Sequence, residues 1–155
     1  MKIRKATEKD IPQIDQIYIE GSFDEEKLNN SKLNKEDFFD RLKEYKAARL
    51  KNFRKCLKSP EQFWVVAEEE KEILGFGQII IINKFQAELE KIYISKKFRG
   101  KGISKILASE LFDWAKRKKV ERVFSRILLN NKPSINLHKG LDFKLTAVRM
   151  DKILR

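Results

Sequence analysis

The sequence predicts a mixed α/β fold: a central sheet of six or seven strands flanked by about four helices. Two observations carry this. Short aliphatic segments with strand-like alternation interleave with longer segments whose apolar residues recur at helical spacing. In addition, an alternating segment ending at Ile94 runs through a basic, glycine-containing turn into the apolar set Ile103, Ile106, Leu107, Leu111 and Trp114, and a second strand-like run follows at 122–128. Strand, helix and strand in that order make a crossover, which lays the two strands parallel.

Residues 2–5 read as the first strand. Thr7 caps a helix with Glu8 and Asp10 in its first turns, where the helix dipole favours negative charge, and Ile11, Ile14, Ile17 and Tyr18 form its apolar face. The acidic stretch 24–26 reads as a loop or short helix. Asn34 then caps one long helix with Asp37 in its first turn and a core stripe of Phe38, Leu42, Tyr45, Phe53 and Leu57, stopped by Ser59-Pro60. Strands are expected at 63–68, 73–82 and 87–94, joined by a charged turn and by Asn83-Lys84, and hence antiparallel. A helix at 102–118, the strand at 122–128, a short helix at 133–139 and a closing strand at 143–153 complete the order.

With 155 residues the chain suits one domain spanning 1–155, and a hydrophobic fraction of 41% with 11 Phe argues for a folded core despite 37% charged residues. The longest aliphatic block, 79–82, is far too short to span a bilayer, which points to a soluble, cytoplasmic protein without a membrane partner. Cys56 falls at an apolar helical position and reads as core. One His and one Cys cannot make a typical zinc site, so no metal is expected. The net charge of +12 attracts polyanions, nucleic acid and coenzyme A alike, although a Lys- and Glu-rich solvated surface accounts for much of it.

The turn itself reads Ser95-Lys96-Lys97-Phe98-Arg99-Gly100-Lys101-Gly102-Ile103-Ser104-Lys105. Unpaired amides at a helix start, aided by the dipole, make an anion seat; Gly100 and Gly102 allow close approach, and Arg99, Lys101 and Lys105 add charge. The spacing is neither a Walker loop nor a dinucleotide fingerprint. Arg99-x-x-Gly102-x-Ser104 resembles the acyl-coenzyme A pyrophosphate loop, Gln/Arg-x-x-Gly-x-Gly/Ala, of the GNAT superfamily of N-acetyltransferases. Asn131-x-x-Ser134-Ile135-x-x-His138 and Phe143 resemble its second motif, with His138 where the family has Tyr and Asp142 where it has Gly.

The resemblance implies transfer of acetyl from acetyl-coenzyme A to an amine by direct attack. The acceptor is a small molecule such as a polyamine, or a protein N-terminus or lysine. It also implies that Arg99, Gly100, Lys101, Gly102, Ile103, Ser104 and Lys105 hold the pyrophosphate. The backbone at Ile92, Tyr93 and Ile94 pairs with the pantetheine arm, and Asn131, Ser134 and His138 lie along the same arm. An amine of pKa about 10.4 is mostly protonated near neutrality, so a base is needed. Alternation places Glu88 and Glu90 on one strand face with Ile92 and Ile94, and Glu88 resembles the base of the histone acetyltransferase branch; both glutamates also read as solvent-facing strand residues. In the ribosomal-protein N-terminal branch the base lies on the next strand, where this chain has Arg126. His138, in the family's acid position, either protonates the leaving thiolate or fills space beside it.

The partners implied are acetyl-coenzyme A and the amine acceptor, with a homodimer compatible. Two other classes stay open. One is an idle acyl-coenzyme A-binding regulator, consistent with His138 and Asp142. The other is a nucleic-acid-binding domain built on Lys96, Lys97, Arg99, Lys101 and Lys116–Lys119, which lacks any recognisable nucleic-acid motif.

Overall fold

The computed structural model describes residues 1–148 and 152. Five strands form one sheet in the order β1 (Lys2–Lys5), β2 (Gln62–Glu69), β3 (Glu72–Ile81), β4 (Gln86–Ile94), β5 (Arg122–Phe124). The first four are antiparallel neighbours, and β5 lies parallel to β4. The expected crossover is therefore present, made by α4 (Ile103–Arg117). Strand β5 is shorter than expected. Residues 143–148 and 152 form no strand, and the other residues of the expected closing strand lie outside the described ones.

The sheet separates two apolar layers. On one side Leu107, Leu111 and Ala115 of α4 pack on Val65, Ala67, Ile79, Ala87 and Leu89, and Gly77 lets α4 settle close: a Cβ there would sit 2.8 Å from Leu111. On the other side α1 (Ile11–Asn29) and α3 (Lys46–Lys58) bring Ile11, Ile14, Ile17 and Phe53 onto Trp64, Val66 and Phe76. The three central strands are buried on both faces, as their continuous aliphatic runs require.

Two helices depart from the sequence expectation. The stretch 24–26 continues α1 to Asn29, because Phe23 is buried against Phe38, 5.2 Å between ring centroids, and the acidic side chains find cations, Glu26 pairing with Arg41 at 2.7 Å. The single long helix is instead α2 (Lys35–Glu44) and α3, broken at Tyr45, which is 60% exposed. Arg49 stabilises the break: it donates to the Leu42 carbonyl oxygen freed at the end of α2 (2.9 Å) and to the buried Asp15 carboxylate of α1 (2.6 Å). Asn34 caps α2 as expected, accepting from the Glu36 and Asp37 amides.

Strand β4 carries one extra residue. Gln78 pairs with Lys91 and Ile79 with Leu89, which leaves Glu90 unpaired in a bulge. The bulge reverses the alternation. Ala87 and Leu89 before it face α4, and so do Ile92 and Ile94 after it, whereas Tyr93 packs on the α1 side. Glu88, between Ala87 and Leu89, therefore lies on the α1 side and does not share a face with Ile92 and Ile94, correcting the reading from simple alternation.

Tyr93 enters the α1 layer through a notch at Gly21, where a Cβ would lie 2.6 Å from Tyr93 Cε1. Gly21→Ala gains about 1 kcal/mol in helix propensity but overpacks a buried ring at a cost of about 1–3 kcal/mol. The expected outcome is a net loss of stability in urea denaturation, reversed to a gain when the same substitution is made in a Tyr93→Ala background.

Candidate active site

At the end of β4 the chain makes a 3-10 turn at Lys96–Phe98 and then passes through Gly100 and Gly102, with φ of +77° and +76°. Both values lie in the left-handed region, where glycine alone is unstrained. A Cβ on either would meet nothing within 4 Å, so the space over the loop is open. Gly102 is the N-cap of α4 and has no side chain with which to cap it, which leaves the amides of Ile103 and Ser104 facing outward. Gly100, Lys101, Gly102, Ile103, Ser104 and Lys105 thus bring open space, uncapped amides and basic side chains together at the start of α4, where the sequence predicts an anion seat.

Arg99 and Lys96 point elsewhere. Both pair with Asp24 of α1, at 2.8 Å and 3.1 Å, and Arg99 Nε donates to the Ile94 carbonyl oxygen at 3.0 Å. These cations tie the loop to α1 in this structure. Burial alone would raise the Asp24 carboxyl, but Arg99 and Lys96 outweigh it and hold it below the ordinary carboxylate value. Within the acidic stretch 24–26, Glu26 is likewise paired, with Arg41.

Beyond the loop the sheet parts. β4 and β5 pair only over Gln86–Glu88 and Arg122–Phe124. Past that point the Ser125 hydroxyl donates to the Leu89 carbonyl oxygen (3.0 Å), and Arg126 grips Glu88 in a bidentate pair at 2.7 and 2.9 Å. From Glu90 to Ile94 the edge of β4 that faces away from β3 has no strand partner among the described residues. It borders a cleft lined also by Glu25, Arg126, Ser134, Leu137 and His138. A roomier cavity lies under the loop beside α1, but its lysines are internally committed, Lys97 to Glu72 and Lys96 to Asp24.

Three side chains of the cleft have marked electrostatics. Tyr93 donates its hydroxyl to Glu25 at 2.7 Å; burial, and then the Glu25 charge, push the phenol well above its usual range. Burial would raise Glu90, but Lys91 at 3.0 Å and the more distant Arg126 bring it below the ordinary value. His138 on α5 (Lys132–Lys139) is only 7% exposed, with Nδ1 2.8 Å from the Ser134 carbonyl oxygen. Since a carbonyl only accepts, Nδ1 carries the proton. Nε2 is buried without a hydrogen-bond partner among the described residues. Burial lowers the His138 pKa below 6.5, against the opposing pull of the Ser134 carbonyl, so the neutral ring prevails at pH 7.

Asn131 caps α5, accepting from the Ser134 amide at 3.1 Å. Asp142, at φ +62°, adopts the left-handed conformation that the expected glycine would supply. The turn returns the Phe143 amide to the His138 carbonyl oxygen (3.0 Å) and sets the Phe143 ring edge-on to the imidazole, 5.0 Å away. Helix α5 is thereby docked with its histidine inward. Sequence reasoning missed the bulge at Glu90, the Arg126 grip on Glu88, and Asp24 and Glu25; only the charge of the last two marked them.

The family model for the acetyltransferase (GNAT) family matches residues 28–143, and the chain belongs to that family. Its fold is that of solved acetyltransferases. The PaiA N-acetyltransferase from Thermoplasma acidophilum in complex with coenzyme A superposes with a TM-score of 0.80 at 18% identity, over 96% of this chain and 92% of that one. The aminoglycoside N-acetyltransferase AAC(6')-Iy in complex with coenzyme A gives 0.71 at 16% identity over 99% of both. The aminoglycoside 6'-N-acetyltransferase AAC(6')-IG from Acinetobacter haemolyticus gives 0.69 at 18% over 100% of both. No curated protein sequence matches the chain.

Two outcomes test this geometry. The pKa of Asp24 is lower folded than unfolded, so its stabilisation is complete above about pH 4 and is lost as pH falls through the folded value; Asp24→Asn should flatten the acid limb of the stability-against-pH curve. Asp142→Gly removes the left-handed strain and should raise stability by up to about 1 kcal/mol in denaturant titration.

Proposed function

We propose that this protein transfers the acetyl group of acetyl-coenzyme A to a primary amine. The observation that carries the reading is the continuity of two open features: an uncapped, glycine-lined helix start leads directly into a sheet edge without a partner. A ligand with phosphates at one end and amide groups along a narrow arm fits both in sequence, the diphosphate over Gly100–Ser104 and the arm along Ile92, Tyr93 and Ile94. Asn131 and Ser134 flank that course. The bound ligand supplies the activated thioester.

The protein's own residues bind, orient and handle protons. The amides of Ile103 and Ser104 and the charges of Lys101 and Lys105 receive the phosphates. An anion that draws Arg99 from Asp24 adds a further cation. Glu88, offered by the sequence as the base, has both oxygens engaged by Arg126; its part is to hold Arg126 across the parting of the strands. The acceptor enters from the side of Glu25 and Glu90. An amine acceptor is supported by family membership and by the aminoglycoside-modifying structures that share the fold. The range of amines, from a polyamine to a peptide terminus or lysine, is what an assay must resolve.

The test is release of free thiol from acetyl-coenzyme A against a panel of polyamines, aminoglycosides, amino acids and peptides. Amine-dependent release is expected; its absence with every acceptor overturns the reading in favour of an idle acyl-coenzyme A binder. Gly100→Ala places a methyl group in the open space above the loop at a folding cost of about 1 kcal/mol. Calorimetry should then find coenzyme A bound about tenfold or more weakly, equivalent to at least about 1.4 kcal/mol.

A further inference from the structure

His138 lines the cleft along which the thioester arm is placed, and its Nε2, buried without a partner among the described residues, asks for a hydrogen-bond donor. The Nδ1–H to Ser134 contact fixes the tautomer, so Nε2 presents a lone pair. Phe143, edge-on to the ring, and helix α5 hold the ring in that orientation. A neutral ring with a naked acceptor is equipped to take a proton first. The expected role in thiolate protonation requires a proton that the resting ring does not carry at Nε2.

We propose that His138 is a proton relay: Nε2 removes a proton from the acceptor ammonium and then returns it to the departing sulfur. This inference rests on the acetyltransferase reading above. The balance is complete with one residue. The ammonium gives one proton to Nε2 and becomes a nucleophile. Its nitrogen bonds to the acetyl carbon, the carbon–sulfur bond breaks, and the proton on Nε2 passes to the thiolate. The second nitrogen-bound proton leaves to water. Attacking nitrogen and leaving sulfur flank the same carbon, about 3 Å apart, so one fixed nitrogen serves both. The lowered pKa of the buried ring keeps it unprotonated and ready at neutral pH.

The charged or titratable groups facing His138 across the cleft are Glu25 of α1, Glu90, Lys91 and Tyr93 of β4, and Arg126 after β5; Lys105 of α4 reaches the end of α5 at Gly140. Glu90 is displaced downward and Tyr93 upward, both away from neutrality, so the histidine is left to titrate there.

The chain has a single histidine, so its ring nitrogens can be observed by ¹H–¹⁵N correlation without assignment. The wild-type protein should show Nδ1–H with unprotonated Nε2 at pH 7 and a midpoint below 6.5. An Nε2–H tautomer, or a higher midpoint, overturns the proposal. Kinetically, kcat should rise with pH through that midpoint. His138→Gln and His138→Tyr should both lose on the order of 100-fold at pH 7, and both should recover as pH approaches the pKa of the acceptor amine, which then needs no base. Their affinity for acetyl-coenzyme A should remain near wild type, which separates lost chemistry from lost folding. If His138→Tyr matches the wild type at pH 7, the residue is an acid only and the relay is wrong. Wild-type protein that transfers acetyl while His138→Gln is unimpaired overturns the relay alone; wild-type protein that releases no thiol with any amine overturns the enzymatic reading as well.

Discussion

The parting of β4 from β5 is the constraint on which the site depends. A parallel pair that continued to Ile94 would satisfy its own backbone and leave no edge for a ligand. Pairing instead stops at Glu88 and Phe124, and side chains close the junction: Ser125 satisfies the Leu89 carbonyl and Arg126 clamps Glu88. Such a clamp makes the branch point definite, so the open edge begins at a fixed residue. The α5 helix, with His138 inward, then borders the space between the separated strands.

Helix α1 is coupled to both halves of this arrangement. Through Asp24 it holds Lys96 and Arg99 of the loop, and through Glu25 it holds the hydroxyl of Tyr93. Adjacent residues on one helix thus touch the glycine loop and the cleft. The helix is itself fixed in its second turn by Asp15 with Arg49 and at its N-cap by Asp10, which receives both terminal nitrogens of Arg4 at 2.8 Å. A charged surface of nominally simple composition therefore contains a few ion pairs, buried at Asp15 and half-exposed at Asp24, that set the position of α1 and the loop.

Much of the fold was legible in the sequence, because its main elements obey local rules. The glycine turn, the α4 stripe from Ile103 to Trp114 and the hairpin strands each follow from periodicity and turn chemistry alone. The illegible parts are decided at long range. Tyr45 lies in register with a helical stripe, yet the helix breaks there because Arg49 finds Leu42 and Asp15. Asp24 to Glu26 look like loop residues until Phe23 is placed beside Phe38. At the site, the glycine loop and α5 were readable as motifs. The partners of Arg99 and Glu88 were not, since Asp24 and Arg126 are distant in sequence, and a basic residue beside a phosphate loop gives no local sign that an acid elsewhere holds it.

The surplus residue in β4 has a consequence for how this strand tolerates change. On both sides of Glu90 the odd and even positions have exchanged allegiance, so the strand's two halves obey opposite parity. Replacing a side chain within either half perturbs one position. Taking Glu90 into regular pairing would restore uniform parity at the cost of rotating the tyrosine toward the crossover helix and both terminal isoleucines into the opposite layer at once, whereas deleting it would leave every side chain on its present face. The bulge, rather than any single side chain, is thus what keeps the tyrosine and the isoleucines in their own layers in a strand of this length.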